Sequence, residues 1–311
     1  MAKKSVNHAK NDLKVLAHHL APASPYRAAV DGSFQLSSPL TEPSKKLLAS
    51  KNWKQELATH KAALYETQQR FYADGRFSIL IVFQAMDAAG KDSTIRHVFS
   101  GVNPAGFRVE SFKQPSEEEL EHDFLWRHAK VLPRKGKIGV FNRSHYEEVL
   151  VTRVHPEYLA SQHLPPTDYD FEDDRFWAQR YQVINAFEQN LVNTGTLVLK
   201  FFLNVSQKEQ HKRFMKRLER EDKHWKFASA DLSESRLWPK YMHAYEQAIQ
   251  HTSSPWAPWY VIPADDKKYM RNAVAETVLN AMNALKPQYP KVTKAEKAQF
   301  DEFKNQLKNW E

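Results

Sequence analysis

Five short runs of β-branched and aromatic residues recur along the chain. Each run is too short for a typical helix and too apolar for an exposed strand, which is the pattern of buried strands in a parallel sheet. The predicted strands cover residues 77–83, 107–112, 137–141, 197–203 and 259–262. The spacing of the runs leaves room for a helix between each strand and the next.

The segments between the strands carry apolar residues at helical spacing. The predicted helices cover residues 12–20, 53–71, 93–99, 117–131, 146–153, 174–192, 207–221, 233–250 and 268–284. Ser116, Ser144 and Ser206 are each followed three residues later by Glu, which predicts capping boxes at three of the helix starts. Strands alternating with helices predict an α/β fold with three layers, in which a five-stranded parallel sheet is covered on both faces.

Composition divides the chain into three parts. Residues 1–50 are rich in Lys, Ser, Pro and His and predict a partly flexible arm; residues 51–286 predict one α/β domain; residues 287–311 predict a charged helical tail. No apolar run approaches the roughly 18 residues of a membrane span, and no signal-peptide pattern is present. The 311 residues include no Cys, so disulfides and thiol chemistry are excluded and a cytoplasmic location is expected.

The segment after the first strand has the layout of a phosphate-binding loop. It runs QAMDAAGKDST from Gln84, with a turn of small residues before Lys91 and a predicted helix. Ligands bind beyond the carboxyl ends of parallel strands, and helix N-termini favour anions. The usual G-x-x-x-x-G-K-[ST] pattern is altered, because Ala85 replaces the first Gly and Asp92 the last Ser/Thr. The expected phosphate contacts are Ala88, Ala89, Gly90, Lys91, Asp92 and Ser93.

Three further side chains point to phosphoryl transfer. A carboxylate within such a loop repels phosphate unless a metal is present, so Asp87 is expected to hold Mg²⁺; a local turn role is the alternative. Asn142 and Arg143 follow the third strand, where an arginine can bind phosphate bidentately and stabilise charge. Glu147 either completes the Ser144 capping box or joins Asp87 as a metal ligand.

The charge distribution favours a polyanionic ligand. Lys and Arg number 45 against 37 Asp and Glu, a net charge of +8, and a cationic surface attracts phosphate polymers, nucleotides or nucleic acid. At helical spacing Arg213, Lys216, Arg217 and Arg220 fall within one arc of a basic segment, which predicts a lid over about 208–232 whose arginines bind phosphate. An ordinary solvated helix is the alternative.

The ordered combination of motifs resembles the polyphosphate kinase 2 family. The resembling segments are QAMDAAGKDSTIRHVF from Gln84, VNPAGFRVESFKQPS from Val102, FLWRHAKVLPRKGKIGVFNRSHYEEVLVTRV from Phe124, WKF from Trp225 and APWYVIPA from Ala257. The resemblance implies a thymidylate-kinase-like P-loop core, a helical lid, Mg²⁺ and a homo-oligomer, a dimer or tetramer. Asp87, Lys91, Asn142, Arg143 and Arg153 match functional positions of the family.

The resemblance implies reversible phosphoryl transfer between inorganic polyphosphate and nucleotides. The pairing of Asn142 with Glu147 is similar to the class III subgroup, which phosphorylates both AMP and ADP; guanine nucleotides are further candidate acceptors. Two other functions stay open. One is an ATP-dependent nucleoside monophosphate kinase, against which the altered loop argues. The other is a basic nucleic-acid-binding protein, for which no recognition module is found, so neither nucleic acid nor a membrane is an expected partner.

Overall fold

The computed structural model describes residues 22–166, 171 and 173–310 of the 311-residue chain. The helix expected at residues 12–20 lies outside the described residues. Within them, no helix combines the length and the apolar character that crossing a bilayer requires.

All five predicted strands form, and they lie in one parallel sheet. They are β1 (Ser78–Gln84), β2 (Phe107–Ser111), β3 (Ile138–Asn142), β4 (Thr196–Asn204) and β5 (Trp259–Pro263). The spatial order is β2-β3-β1-β4-β5, with β1 at the centre. Every residue of β1 and β4 is buried, whereas β2 at one edge has no buried residue. The prediction of a buried strand was therefore wrong for β2, which carries Arg108 and Glu110. Burial on both faces explains why β1 and β4 are largely apolar.

Helices cover both faces of the sheet and give the three layers expected from the sequence. Their bounds are α1 Lys45–Ala49, α2 Trp53–Asp74, α3 Lys91–Val98, α4 Glu117–Leu120, α5 Trp126–Ala129, α6 Glu147–Val154, α7 Asp174–Asn193, α8 Gln207–Leu218, α9 Ala230–Arg236, α10 Trp238–Thr252, α11 Lys267–Ala284 and α12 Lys294–Lys308. Helix α11 packs against α2 and α3, while α6, α7 and α10 pack against one another. In the described part of the chain, three 3₁₀ turns complete the connections: Pro104–Gly106, Pro156–Gln162 and Glu221–Lys226.

Two of the predicted helices were wrong as single elements. The segment 117–131 divides into α4 and α5, because the Asp123 carboxylate accepts from the Leu125 amide and turns the chain between them. The segment 233–250 divides into α9 and α10 at Leu237. Pro239 lies in the first turn of α10, where its missing amide donor costs nothing.

Residues 26–28 pair with the sheet edge formed by β5. Arg27 pairs with Tyr260 in an isolated antiparallel bridge, and the Ala28 amide donates to the Trp259 carbonyl. Ala28 and Phe34 are buried in the core. Composition did not predict these contacts, because they depend on a strand edge more than 200 positions away in the sequence. The tail helix α12, by contrast, has no buried residue.

A buried ion pair connects the centre of the sheet to one helical layer. Lys200 on β4 donates from Nζ to Glu188 Oε2 on α7 (2.6 Å), to the Tyr146 hydroxyl (2.9 Å) and to the Thr252 carbonyl (2.7 Å). Tyr146 donates in turn to Glu188 Oε1. Lys200 and Glu188 are fully buried, so the pair is stable only because each charge is matched by hydrogen bonds. The network fixes the chain just after β3.

We expect breaking this pair to destabilise the fold more than removing both charges. Lys200→Met leaves a buried unpaired carboxylate and should lower the free energy of unfolding by about 3–5 kcal/mol. The double variant Lys200→Met/Glu188→Gln should recover part of that loss. Urea unfolding of the two variants beside the unaltered protein measures the difference. Equal destabilisation in the single and double variants would contradict the assignment.

Candidate active site

A cleft of about 1100 Å³ opens where the central strands end. Its walls come from the β1–α3 loop (residues 85–90), the start of α3, strand β2, the end of β3, helix α8 and the first turn of α11. This is the position at which parallel α/β sheets bind ligands. Most of the site residues predicted from the sequence line this cleft: Asp87, Ala88, Gly90, Lys91, Asp92, Ser93, Asn142, Arg143, Arg213, Arg217 and Arg220.

The β1–α3 loop adopts the tight conformation that its small residues permit. Ala88 has a φ of 60° and Gly90 a φ of 112°, both in the left-handed region. A side chain on Gly90 would also meet the Met270 methyl group at 3.4 Å. Gly90 supplies no side-chain cap to α3, so the first amides of the helix keep their hydrogen-bonding capacity for a ligand.

The carbonyl oxygens of the β1–α3 loop are held by side chains of α8. Arg213 donates from Nη1 to the carbonyls of Ala88 (3.1 Å) and Ala89 (2.6 Å). Its Nη2 donates to the carbonyls of Ala264 and Asp265, and its Nε to Glu209. The Asp87 carbonyl accepts from Gln210. The five donors of Arg213 are therefore engaged, and Arg213 positions the loop instead of facing a phosphate as the lid arc predicted.

Lys91 is a second buried cation of the site, after Arg213. Its Nζ donates to the Ala85 carbonyl at 2.6 Å, and the side chain is 8% exposed. Burial lowers the pKa of Lys91 to about 8, with a further contribution from the positive charge of Arg143. The ammonium therefore faces the cleft close to its titration point, and a bound anion would favour the charged form.

Arg143 joins two acidic side chains at the end of β3. Its guanidinium donates to Asp87 Oδ1 and to Glu147 Oε2, each at 3.0 Å. The Glu147 carboxylate raises the pKa of Arg143, and Asp87 adds to the effect. Its backbone has a φ of 64° while its amide donates to the Phe83 carbonyl on β1. The two predicted metal ligands, Asp87 and Glu147, thus both accept hydrogen bonds from the Arg143 guanidinium.

Asn142 connects β3 to the start of α3. Its Nδ2 donates to Asp92 Oδ1 at 2.8 Å and to the Ser111 hydroxyl at 3.5 Å. An aspartate here would place two carboxylates against each other, so the amide is the group that this contact requires. Asp92, which departs from the usual loop pattern, is therefore paired with Asn142.

The three expected capping boxes have different outcomes. Ser116 and Glu119 form the full reciprocal box. At Ser206 only half of the box forms, because the Glu209 carboxylate binds Arg213. The Ser144 box was wrong: Tyr146 is the cap residue of α6, and Glu147 turns its carboxylate to Arg143. Of the two interpretations of Glu147, the contact favours a place beside the site.

Two predicted phosphate ligands on the lid are paired with acids. Arg217 Nη1 lies 3.5 Å from Asp231 Oδ2, and Arg220 contacts Asp222 through two nitrogens. Arg153, the other predicted phosphate ligand, is not among the residues that line the cleft. Arg153 donates to Tyr181 and Asp174 on α7 and lies outside the cleft.

Sequence reasoning missed four cations that also line the cleft. They are Arg96, Lys113, Lys223 and Lys267. Lys223 lies inside the basic segment used to predict the lid, so a count of charges there could have found it. The others belong to separate elements with no shared pattern, and only the fold brings them together.

The donor set fits a magnesium ion bound together with substrate. Among the described residues, no group of three or more His, Asp and Glu side chains is arranged to hold a metal. Kinase-type Mg²⁺ sites need only one or two carboxylates, because substrate phosphates and water supply the remaining ligands. Asp87 lines the cleft, and its side chain is 33% exposed. Asp87 can therefore supply the protein ligand.

Comparison with known proteins agrees with this geometry. The family model described as polyphosphate kinase 2 matches residues 47–290. A relative from Rhodopseudomonas palustris named ADP-polyphosphate phosphotransferase is 49% identical over 81% of this chain and 86% of its own. A relative from Meiothermus ruber named AMP/ADP-polyphosphate phosphotransferase is 44% identical over 85% of this chain and 94% of its own.

A solved structure shows the same architecture. The crystal structure of polyphosphate kinase 2 from Arthrobacter aurescens TC1 superposes with a TM-score of 0.78 and 36% sequence identity. The match covers 91% of this chain and 98% of that one. The fold and enzyme class expected from the sequence are confirmed, and the chain belongs to the polyphosphate kinase 2 family.

Proposed function

We propose that the protein transfers phosphoryl groups between inorganic polyphosphate and nucleotides, converting AMP to ADP and ADP to ATP in a reversible, Mg²⁺-dependent reaction. The observation that carries the proposal is the cleft, which is lined by Lys91, Arg143 and the uncapped start of α3. The names of the two relatives, for ADP and for AMP/ADP, support both acceptors. GMP and GDP are further candidate acceptors.

The reaction needs no nucleophilic side chain. An oxygen of the nucleotide's terminal phosphate, ionised near neutral pH, attacks the terminal phosphorus of the polymer. One P–O bond forms, the anhydride bond to the next unit breaks, and polyphosphate leaves one unit shorter. Catalysis then depends on holding two anions in line and neutralising their charge.

The described residues can divide that work. The α3 amides and Lys91 bind the transferring phosphate, and Arg143 stabilises its equatorial oxygens while held between Asp87 and Glu147. Mg²⁺, held by Asp87, would neutralise phosphate charge when bound. Arg213 keeps the loop carbonyls away from the anion. We further propose that the segment from α8 to α9 is the lid and that the enzyme is a cytoplasmic homo-oligomer.

Assays with ADP or AMP, polyphosphate and Mg²⁺ test the function directly. We expect ATP from ADP, and none when polyphosphate is omitted or Mg²⁺ is chelated. Lys91→Ala and Arg143→Ala should each lower turnover by at least about 100-fold, because each removes a charge from the transferring phosphate, with little change in the melting temperature. Arg108→Ala, on β2 outside the cleft, is the matched control. ATP-driven phosphorylation of nucleoside monophosphates without polyphosphate would favour the alternative kinase.

We expect activity to decline in alkaline solution. With the pKa of Lys91 lowered to about 8, kcat/KM should fall as pH rises through that value, because the free enzyme loses the ammonium charge. The decline in kcat should come at higher pH, since bound phosphate stabilises the charged form. Lys91→Arg should abolish the decline. The pKa of Lys267 is also lowered to about 8. If the decline disappears in Lys267→Gln and persists in Lys91→Arg, it comes from Lys267 and the assignment to Lys91 is wrong.

The contact between Asn142 and Asp92 predicts a shift in acceptor preference. Asn142→Asp adds a negative charge to the cleft and should disfavour ADP, the more highly charged acceptor. A unit charge at about 6 Å in water is worth about 0.7 kcal/mol, so the ratio of kcat/KM for AMP to that for ADP should rise about threefold. The swap Asp92→Asn/Asn142→Asp restores one donor and one acceptor and should return the ratio toward its original value. If neither variant changes the ratio, Asn142 does not influence the choice between AMP and ADP.

A further inference from the structure

The side chain of Gln210 connects the β1–α3 loop to helix α9. Gln210 lies on α8, is 1% exposed and is not among the residues that line the cleft. Its Nε2 donates to the Asp87 carbonyl at 3.0 Å, and its Oε1 accepts from the Ser235 hydroxyl at 2.7 Å. Because a carbonyl oxygen can only accept, these two partners together fix which end of the amide faces the loop.

Ser235 on α9 is buried, and two further side chains of α8 hold it. Its hydroxyl hydrogen goes to Gln210, so its oxygen accepts from His211 Nε2 at 2.9 Å. Its backbone carbonyl accepts from Gln207 Nε2, also at 2.9 Å. The three α8 residues are three and four positions apart, which places them on one face of the helix. That face binds α9 at Ser235.

The preceding residue anchors α9 on its other side. Glu234 Oε2 accepts from the Tyr241 hydroxyl on α10 (2.5 Å) and contacts His155 Nε2, just after α6, at 3.0 Å. Helix α9 is therefore fixed between α8 on one side and α6 and α10 on the other. A shift of α9 would move the Ser235 hydroxyl away from Gln210.

The hydrogen bond from Gln210 acts on a peptide beside a strained residue. The Asp87 carbonyl belongs to the peptide bond that precedes Ala88, whose φ of 60° lies in the left-handed region that a residue with a Cβ rarely adopts. Such a backbone persists only where its surroundings hold it. Rotation of this peptide would displace the Asp87 carboxylate, which accepts from Arg143 at 3.0 Å.

A buried amide costs free energy that an apolar side chain of the same size would not. At Gln210 the cost is offset, because both polar atoms of the amide have a partner. An apolar residue could fill the same space but could not hold the Asp87 carbonyl. The position therefore requires a donor aimed at the loop, and Ser235 supplies the contact that aims it.

We propose that Gln210 and Ser235 are positioning residues that hold Asp87 in the conformation in which it binds Mg²⁺, so that the metal ligand and helix α9 are placed together. Neither side chain lines the cleft. Ser235 acts through Gln210, and Gln210 acts through the peptide that follows Asp87. The inference rests on the proposed function and deepens it, because it makes helix α9 of the proposed lid a support of the metal ligand.

Hydrogen exchange and kinetics of four variants test the proposal. Gln210→Met removes both hydrogen bonds at nearly constant volume, Ser235→Ala removes the hydroxyl, and the double variant combines the two changes. The control is Ser233→Ala, at an exposed position of α9 where the hydroxyl donates to the Ala230 carbonyl. The exchange of amides 85–90 is measured without ligands. Kinetics give the Mg²⁺ concentration for half-maximal activity and the KM for ADP at saturating Mg²⁺, and melting curves verify folding.

We expect Ser235→Ala to raise the exchange of residues 85–90 and the half-maximal Mg²⁺ concentration by about fivefold each, the size of effect that one hydrogen bond contributes. The KM for ADP should stay close to that of the unaltered protein. Gln210→Met should have at least as large an effect. The double variant should match Gln210→Met, because a residue that acts through Gln210 has no further effect once that side chain is replaced. Ser233→Ala should match the unaltered protein.

Any of three results would contradict the proposal. Unchanged loop exchange and Mg²⁺ dependence in Ser235→Ala, whatever its melting temperature, show a contact that is structural only. Additive effects in the double variant show that Ser235 does not act through Gln210. An equal shift in Ser233→Ala assigns the change to α9 as a whole. Hydrogen exchange does not depend on turnover, so each failure is distinguishable from a failure of the proposed function, in which ADP and polyphosphate yield no ATP.

Discussion

A loop that binds phosphate through backbone amides must keep its carbonyl oxygens away from the anion. Here Arg213 and Gln210 of α8 hold these oxygens by donating hydrogen bonds to the carbonyls of Asp87, Ala88 and Ala89. Arg213 also holds Ala264 and Asp265, the residues between β5 and α11. One guanidinium therefore joins the loop after β1, helix α8 and the loop after β5. Because its donors are fixed in a plane, lysine could not reproduce the arrangement.

A second interaction, the buried ion pair between β4 and α7, supports the part of the cleft that follows β3. The buried pair of Lys200 and Glu188 binds Tyr146, which begins the helix that carries Glu147. Glu147 in turn orients Arg143. The buried ion pair is thus connected, through Tyr146 and its neighbour Glu147, to the arginine proposed to stabilise transfer. Such a network restricts the position of Arg143 at a cost in desolvation that the hydrogen bonds offset.

The charges of the cleft are of two kinds. Arg143, Arg217 and Arg220 have acidic partners, whereas Arg96, Lys216 and Lys267 have none among the described residues. Paired cations are held in place before a ligand arrives and suit a site that must position one phosphate. Unpaired cations attract anionic ligands over a longer distance.

The sequence by itself determined the five strands, their parallel arrangement in one sheet and the loop that contains Lys91. These follow from local signals, a continuous apolar run for burial on two faces and a small-residue turn before a helix. It could not determine that Arg213 binds the loop, that Lys200 is paired, or that Arg153 lies outside the cleft. A basic residue has the same local pattern whether it faces a phosphate, a carbonyl or a carboxylate. Only tertiary structure decides which of these acceptors comes within hydrogen-bond distance, because the partners lie far apart along the chain.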